Sequence, residues 1–393
     1  MVTQNRKLAK EKIETAPPYR SQSLLHSPPG FGTLCHMAIR KSDAEVGLVK
    51  IGSRAIGAGL PCFIIAEMGL GHDGSFGAAH AFIDAVARVG ADAVKFQTHI
   101  AEAEGTAEEA FRVNVFPQDA TRGDYWRRTA FTEPQWRQLK QHADDAGVVF
   151  LSSPFSGEAM RLLERVGVPA WKVASGETNN PPLLREMAAT GLPLLLSTGM
   201  STMEEVDAAV AIVQESGVPL VVFQCTNRYP CPPEHMGLNL IAAYRDRYGV
   251  PVGYSCHSGR AAAGIAARVL GACAVEVHVT FSRQCFGPDV PASLTVEEFA
   301  GLIRDMRFLE TALNAQVSKN AEAEELSDLR TLFTKSIVAA KDLEEGTTLA
   351  LEDLAFKKPG TGIPAAETDA WVGCRLRNAV SRDQQLRRDD IDD

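Results

Sequence analysis

The stretch "VPVGYSCHSGRAAAGIAARVLGACAVEVHVT", residues 250–280, decides the fold. Two apolar runs, 250–255 and 273–279, flank a segment whose apolar residues recur three and four apart and which ends in Gly271, a helix stop. Neither run alternates apolar with polar, as a strand with one wet face would. Both suit strands buried on two faces of a parallel sheet, with the helix as crossover. The unit repeats upstream: runs at 62–67, 92–97, 148–154, 170–175, 193–198 and 219–226 bring the total to eight, and helical stretches at 78–90, 157–167, 182–191 and 202–217 also end in Gly. Eight such strands within about 220 residues fit a closed barrel better than an open doubly wound sheet.

The expected fold class is therefore α/β: a TIM (β/α)8 barrel over 47–314, a polar Ala/Glu-rich linker over 315–331, and a small β-rich domain over 332–393, where the texture changes to short β-like pieces and turns. Residues 1–46, basic and containing Pro and Ser, read as a mobile arm. The 393 residues carry 40 basic and 49 acidic side chains, a net charge of −9, with no basic tract, which argues against nucleic acid. No apolar run reaches the length of a membrane span and the first residues lack a signal peptide's apolar centre, so a cytoplasmic protein without membrane contact is expected. Eight scattered cysteines without a CxxC pair read as reduced, packed thiols. The polar, aromatic insertion at 98–128 follows the second strand, at the barrel's active face, and reads as a lid or substrate-contact loop.

Polar residues at the carboxyl ends of barrel strands face one shared site. The run ends supply Glu67, Lys95 with Gln97, Ser152 with Ser153, Lys172 with Ser175 and Glu177, Ser197 with Thr198, Thr226 with Asn227, Ser255 with His257, and Glu276 with His278. His257 and His278 end adjacent strands and could share one divalent ion, or each could satisfy local hydrogen bonds. Lys95 and Lys172, near the ends of apolar strands, need anions: Glu67, Glu177, or a phosphate or carboxylate on a ligand. A lysine made nucleophilic for Schiff-base chemistry is the chemical rival.

In order along the chain, "FIIAEMGLGHDGS", "GADAVKFQT", "SSPFSGEAMRLLERVGVPAWKVASGE", "LLSTGMSTMEEV", "FQCTNRYPCPPE", "VPVGYSCHS", "VEVHVTFSRQCFGPD" and "SIVAAKDLEEGTTLALEDLAFKKPGTGI" resemble the sialic acid synthase family, which includes N-acetylneuraminate, pseudaminate and legionaminate synthases. The resemblance, over residues 50–393, implies a TIM barrel followed by an antifreeze-like (SAF) domain that reaches into the partner's site in a domain-swapped homodimer. It implies condensation of phosphoenolpyruvate with an N-acetylmannosamine-type or related aldose to a nonulosonic 2-keto acid and phosphate. By the same resemblance a divalent Mn2+ or Mg2+ lies on His257 and His278. Phosphoenolpyruvate lies against Lys95, Lys172, Ser175, Ser197 and Asn227, and the sugar against Gln97, Glu177, Tyr229, Asp289 and the partner's copy of Lys358. Glu67 and Glu276, with the two lysines, stand near the reacting centre. Four positions depart from the family pattern: Asp73 for an Asn, Cys256 for an Asp before the seventh-strand His, "HVTFS" with Phe281 and Ser282 where an Asp is usual, and Lys358 for an Arg. They raise, as alternatives, an unusual acceptor sugar or a sugar-binding barrel without turnover.

Overall fold

The computed structural model describes residues 47–113 and 118–392; the reading of 1–46 as a mobile arm lies outside them. A short hairpin, β1 (Val49–Ile51) and β2 (Arg54–Ile56), precedes eight parallel strands: β3 (Phe63–Gly69), β4 (Ala93–Thr98), β5 (Val149–Pro154), β6 (Trp171–Val173), β7 (Leu194–Ser197), β8 (Leu220–Cys225), β9 (Val252–Cys256) and β10 (Ala274–Thr280). Their order is β5-β4-β3-β10-β9-β8-β7-β6, and β6 lies alongside β5 without a hydrogen-bonded ladder, so the barrel is nearly closed. All eight expected strands are present, with helices between them.

Strand periodicity of two explains how one chain makes both a dry core and a polar mouth. Ile64, Ala66, Val94, Phe96, Phe150, Leu196, Val222, Val275 and Val277 point outward and pack under the helices. Their neighbours Phe63, Ile65, Ala93, Leu151, Leu195, Val221, Phe223 and Ala274 point inward and fill the barrel, which the hairpin residues Val49, Ile51 and Ile56 plug from below. Continuing that inward register toward the carboxyl ends reaches Glu67, Lys95, Gln97, Ser153, Lys172, Ser197, Cys225, Ser255, Glu276 and His278.

Gly253 on β9 is where the interior admits no side chain: a Cβ there would sit 2.5 Å from Cε1 of Phe223. Gly253→Ala is expected to destabilise the fold by about 1–3 kcal/mol, because a ring locked in a packed barrel cannot yield. An unchanged denaturant midpoint would show that Phe223 can move.

After the last barrel helix (Val296–Asn314), the segment read as a linker holds two short helices, Lys319–Glu325 and Ser327–Phe333, with no buried residue. β11 (Leu294–Thr295), just before that last barrel helix, pairs parallel with β10, and beyond the short helices β12 (Ser336–Ala339) and β13 (Leu354–Lys357) pair antiparallel. A separate core of Ile337, Leu349, Trp371, Leu376 and Leu386 sustains this second domain. Among the described residues, no helix is long and apolar enough to cross a membrane.

Candidate active site

The inward polar residues floor a cavity of about 480 Å³ at the carboxyl end of the barrel. Its base is a four-charge cluster. Lys95 Nζ lies 2.7 Å from Glu67 Oε2 and 3.7 Å from Glu276 Oε1, and Lys172 Nζ lies 3.6 Å from that same Glu276 oxygen. Cross-strand register causes this, since Lys95 pairs with Glu67 and Glu67 with His278. Gln97 Nε2 donates to Glu67 Oε1 at 2.9 Å, Ser255 Oγ to Glu276 Oε1 at 3.1 Å, and Lys172 to Ser197 Oγ at 2.5 Å.

Burial and charge separate these groups. Burial pushes the Glu67 carboxyl up, only partly offset by Lys95 and His278. Glu276 is equally buried, but Lys172 and Lys95 outweigh that and pull it down to about 2. Burial likewise works against charge on both lysines; Glu276 and Glu67 carry Lys95 above its ordinary value, whereas Lys172 stays below it. Burial lowers His257 and His278 as well.

Because Glu276 titrates at about 2 folded against 4.5 unfolded, it adds stability that is complete above pH 4.5 and lost as pH falls toward 2. Glu67, shifted the other way, opposes it, so the useful comparison is with Glu276→Gln. The stability gap between wild type and variant, at most roughly 3 kcal/mol from this source, should close over that window in acid-unfolding curves. A gap that stays constant down to pH 2.5 would mean that Glu276 is not held ionised by the lysines.

One wall gathers small polar groups. Gly199 N–H donates to Ser175 Oγ at 3.1 Å, and Cys225 Sγ to Asn227 Oδ1 at 3.3 Å. A Cβ at Gly199 would lie 2.3 Å from Asn227 Oδ1, so only glycine lets these groups converge. Opposite, His257 Nδ1–H donates to the Thr226 carbonyl at 2.9 Å, and its Nε2 lone pair takes the Tyr229 hydroxyl at 3.1 Å. The His257 and His278 rings lie 5.3 Å apart, and His278 Nδ1 and Glu276 Oε2 are buried without a hydrogen-bond partner among the described residues. Such orphaned polar atoms call for a ligand.

The family profile of the NeuB family matches residues 82–318, and that of the SAF domain matches 334–392. The chain belongs to the NeuB family. An N,N'-diacetyllegionaminic acid synthase of Legionella pneumophila is 34% identical over 84% of this chain and 94% of its own length, and the human N-acetylneuraminate-9-phosphate synthase is 32% identical over 86% and 95%. The crystal structure of an N-acetylneuraminic acid (sialic acid) synthetase from Leptospira borgpetersenii in complex with citrate superposes with a TM-score of 0.64 at 28% identity, over 72% of this chain and 96% of that one.

Within this NeuB-family barrel, Glu67, Lys95, Gln97, Lys172, Ser175, Ser197, Asn227, Tyr229, His257, Glu276, His278 and Asp289 all line the cavity. Glu177 does not; its Oε2 accepts from Asn180 Nδ2 at 2.8 Å. Lys358 lies outside the lining too, with Nζ 4.6 Å from the Phe333 ring centroid. Among the lining residues not singled out in the sequence, His99, Glu104, Arg112, Arg122, Tyr125 and Trp126 come from the insertion and roof the cavity, Arg112 stacking over Tyr229 at 4.2 Å and pairing with Asp289. The three barrel departures stay clear of it. Asp73 pairs with Arg128 at 2.8 Å, Cys256 points into the outer core with Sγ 3.0 Å from Ser258 Oγ, and Phe281 packs edge-on against Phe82.

Proposed function

We propose that the chain condenses phosphoenolpyruvate with an N-acetylmannosamine-type or related aldose, giving a nonulosonic 2-keto acid and inorganic phosphate. The observation that carries this is the pair of buried lysines on the cavity floor, Lys95 between Glu67 and Glu276 and Lys172 on the same Glu276 oxygen, beside Ser175, Ser197 and Asn227. Lys172, which shares its carboxylate with Lys95, is prepared for a multiply charged ligand. Membership of a family whose similar relatives are named as synthases of sialic, legionaminic and pseudaminic acids supports the reaction class.

Lys95 and Lys172 would offset the carboxylate and phosphate charges, while Ser175, Ser197 and Asn227 orient the phosphate. The aldose would enter under the insertion, against Gln97, Tyr229 and Asp289. C3 of phosphoenolpyruvate bonds to the aldehyde carbon, water adds at C2, and phosphate leaves by C–O cleavage, so the reaction consumes one water and balances. Environments that push two carboxyl groups apart assign their roles. Glu67, raised by burial, suits the base that takes the water's proton; Glu276 suits the fixed counter-ion of the lysines.

A divalent Mn2+ or Mg2+ fits His257 and His278, both buried and lowered by that burial: His278 Nδ1 lacks a partner among the described residues, and His257 Nε2 would exchange the Tyr229 hydroxyl for the ion. Among the described residues no three His, Cys, Asp or Glu converge as a ready-made metal cage, so substrate and water oxygens would complete the coordination. When bound, the ion supplies Lewis-acid polarisation of a substrate oxygen. We also propose a homodimer in which the SAF domain brings Lys358 to the partner's cavity, and a cytoplasmic location.

Phosphate release with Mn2+ tests this across free and phosphorylated mannosamine-type and neutral aldoses, with product masses read in parallel. Release that requires the sugar and stops with EDTA is expected. Borohydride trapping of a pyruvate adduct on Lys95 or Lys172 would replace the proposal with Schiff-base chemistry, and ligand binding without turnover on the whole panel would replace it with a sugar-binding barrel.

A further inference from the structure

His99 stands where the insertion leaves β4, and nothing in the chemistry above uses it. Its side chain is 4% exposed. The ring lies between Trp126, parallel within 6° at a centroid distance of 3.8 Å, and Phe155 at 4.3 Å. In the ring plane, Nδ1 is 2.7 Å from Glu104 Oε2 and Nε2 is 3.3 Å from Gln97 Oε1.

The Gln97 amide is oriented from its other side, because its NH2 donates to Glu67 at 2.9 Å. It therefore turns its carbonyl oxygen to His99, and that oxygen can only accept; so can the Glu104 carboxylate. Both ring nitrogens face acceptors, and a ring with hydrogen on both is an imidazolium. Two aromatic faces and a carboxylate are a favourable setting for such a cation in a dry site.

We propose that His99 is a positioning residue for the condensation, a buried imidazolium that locks the Gln97 carboxamide and, through it, Glu67. This role rests on the reading of the cavity given above. It links the roof to the floor by one hydrogen-bonded chain, Glu104 to His99 to Gln97 to Glu67 to Lys95. A neutral His99 would point a lone pair at the Gln97 oxygen; the amide would then turn, present its oxygen to the Glu67 carboxylate, and displace it. The groups facing His99 or its partners are Glu104, Gln97 with Glu67 beyond it, Glu177 near Glu104, and His72, which burial and then the charge of His99 lower to about 3.

His99→Phe in the full chain tests the idea, since it keeps a ring between Trp126 and Phe155 and removes both N–H groups. The expected result is a thermal midpoint within about 2 °C of wild type and a kcat lowered on the order of 10- to 100-fold with KM for phosphoenolpyruvate unchanged. Wild-type kcat in His99→Phe would reduce His99 to packing and overturn the proposal. Should that variant not fold, Glu104→Gln, which weakens the hydrogen bond to His99 Nδ1, is expected to lower kcat with KM for phosphoenolpyruvate unchanged; a wild-type kcat there would count against the proposal. Independently of turnover, 15N spectra of histidine-labelled protein without substrate should show both His99 nitrogens protonated at pH 7. A neutral His99 there overturns the proposal, and the spectra decide this even if wild type releases no phosphate with any acceptor, which would fail the proposed function alone.

Discussion

Lys172→Met is expected to lower kcat/KM for phosphoenolpyruvate by roughly 10³-fold while leaving the thermal midpoint at or above that of wild type, the loss of one preorganised donor to developing anionic charge being worth about that much. The two effects part company because the ammonium is unfavourably placed until an anion arrives. Burial lowers the Lys172 pKa, Lys95 repels it, and its attraction to Glu276 is shared with Lys95. Methionine fills nearly the same volume, keeps contact with the Phe223 ring that Lys172 Nζ approaches at 5.2 Å, and removes a buried charge. Glu276 retains Lys95 as counter-ion at 3.7 Å. The sign in pH follows from the direction of the shift. The unfolded chain holds the Lys172 proton up to about pH 10.5, the folded chain releases it sooner, and so wild type gains stability relative to the variant as pH rises through that interval. Calorimetry at two pH values together with a phosphate-release assay reads both effects. A methionine variant that keeps a tenth of the activity would remove Lys172 from anion binding; one that melts far below wild type would make it a structural ion-pair member.

Most of this site was legible in the sequence because strand ends obey a two-residue period. Once eight apolar runs were placed, Glu67, Lys95, Lys172, Glu276 and His278 could only point inward above Phe63, Ala93, Ala170 and Ala274. The same rule disposes of Cys256: one residue before an inward His257, it must face the helices, and so an unusual residue there does not alter the cavity. What the sequence could not reveal lies where no period operates. The insertion after β4 was legible as a probable contact loop, but not that Trp126 on its helix Arg122–Thr129 would return to stack on His99. Asp73 read as a departure near the active face; only the fold shows that it answers Arg128, which comes from that insertion and also pairs with Asp119 at 2.8 Å. The linker's own structure was the least legible part. Polar Ala/Glu-rich sequence has high helix propensity, and Thr331, inside the second short helix, accepts from the Gly360 N–H through its carbonyl, with Thr334 at the helix end packed beside it.

His278→Leu is expected to abolish the upward shift of melting temperature that Mn2+ gives the wild-type chain, while leaving the melting temperature without metal unchanged or higher. An unpartnered buried polar atom costs about 1–3 kcal/mol, and His278 Nδ1 is one, on a ring that burial keeps neutral. Leucine removes that liability. A ligand present at 100 times its Kd stabilises the folded chain by about 2.7 kcal/mol, which wild type should show with excess Mn2+ and the variant should not. Turnover should drop on the order of 100-fold or more, since even partners that only orient a metal-bound group cost 10- to 100-fold. The electron paramagnetic resonance of free Mn2+ gives an answer that needs no substrate: added wild-type chain should diminish the signal, His278→Leu should not, and His257→Asn should behave like His278→Leu because His257 Nδ1 is spent on the Thr226 carbonyl and Nε2 would exchange the Tyr229 hydroxyl for the ion. If His278→Leu depletes free Mn2+ as wild type does, the ion binds elsewhere, the two imidazoles are only hydrogen-bonding groups around Tyr229, and the orphaned nitrogen awaits the substrate itself.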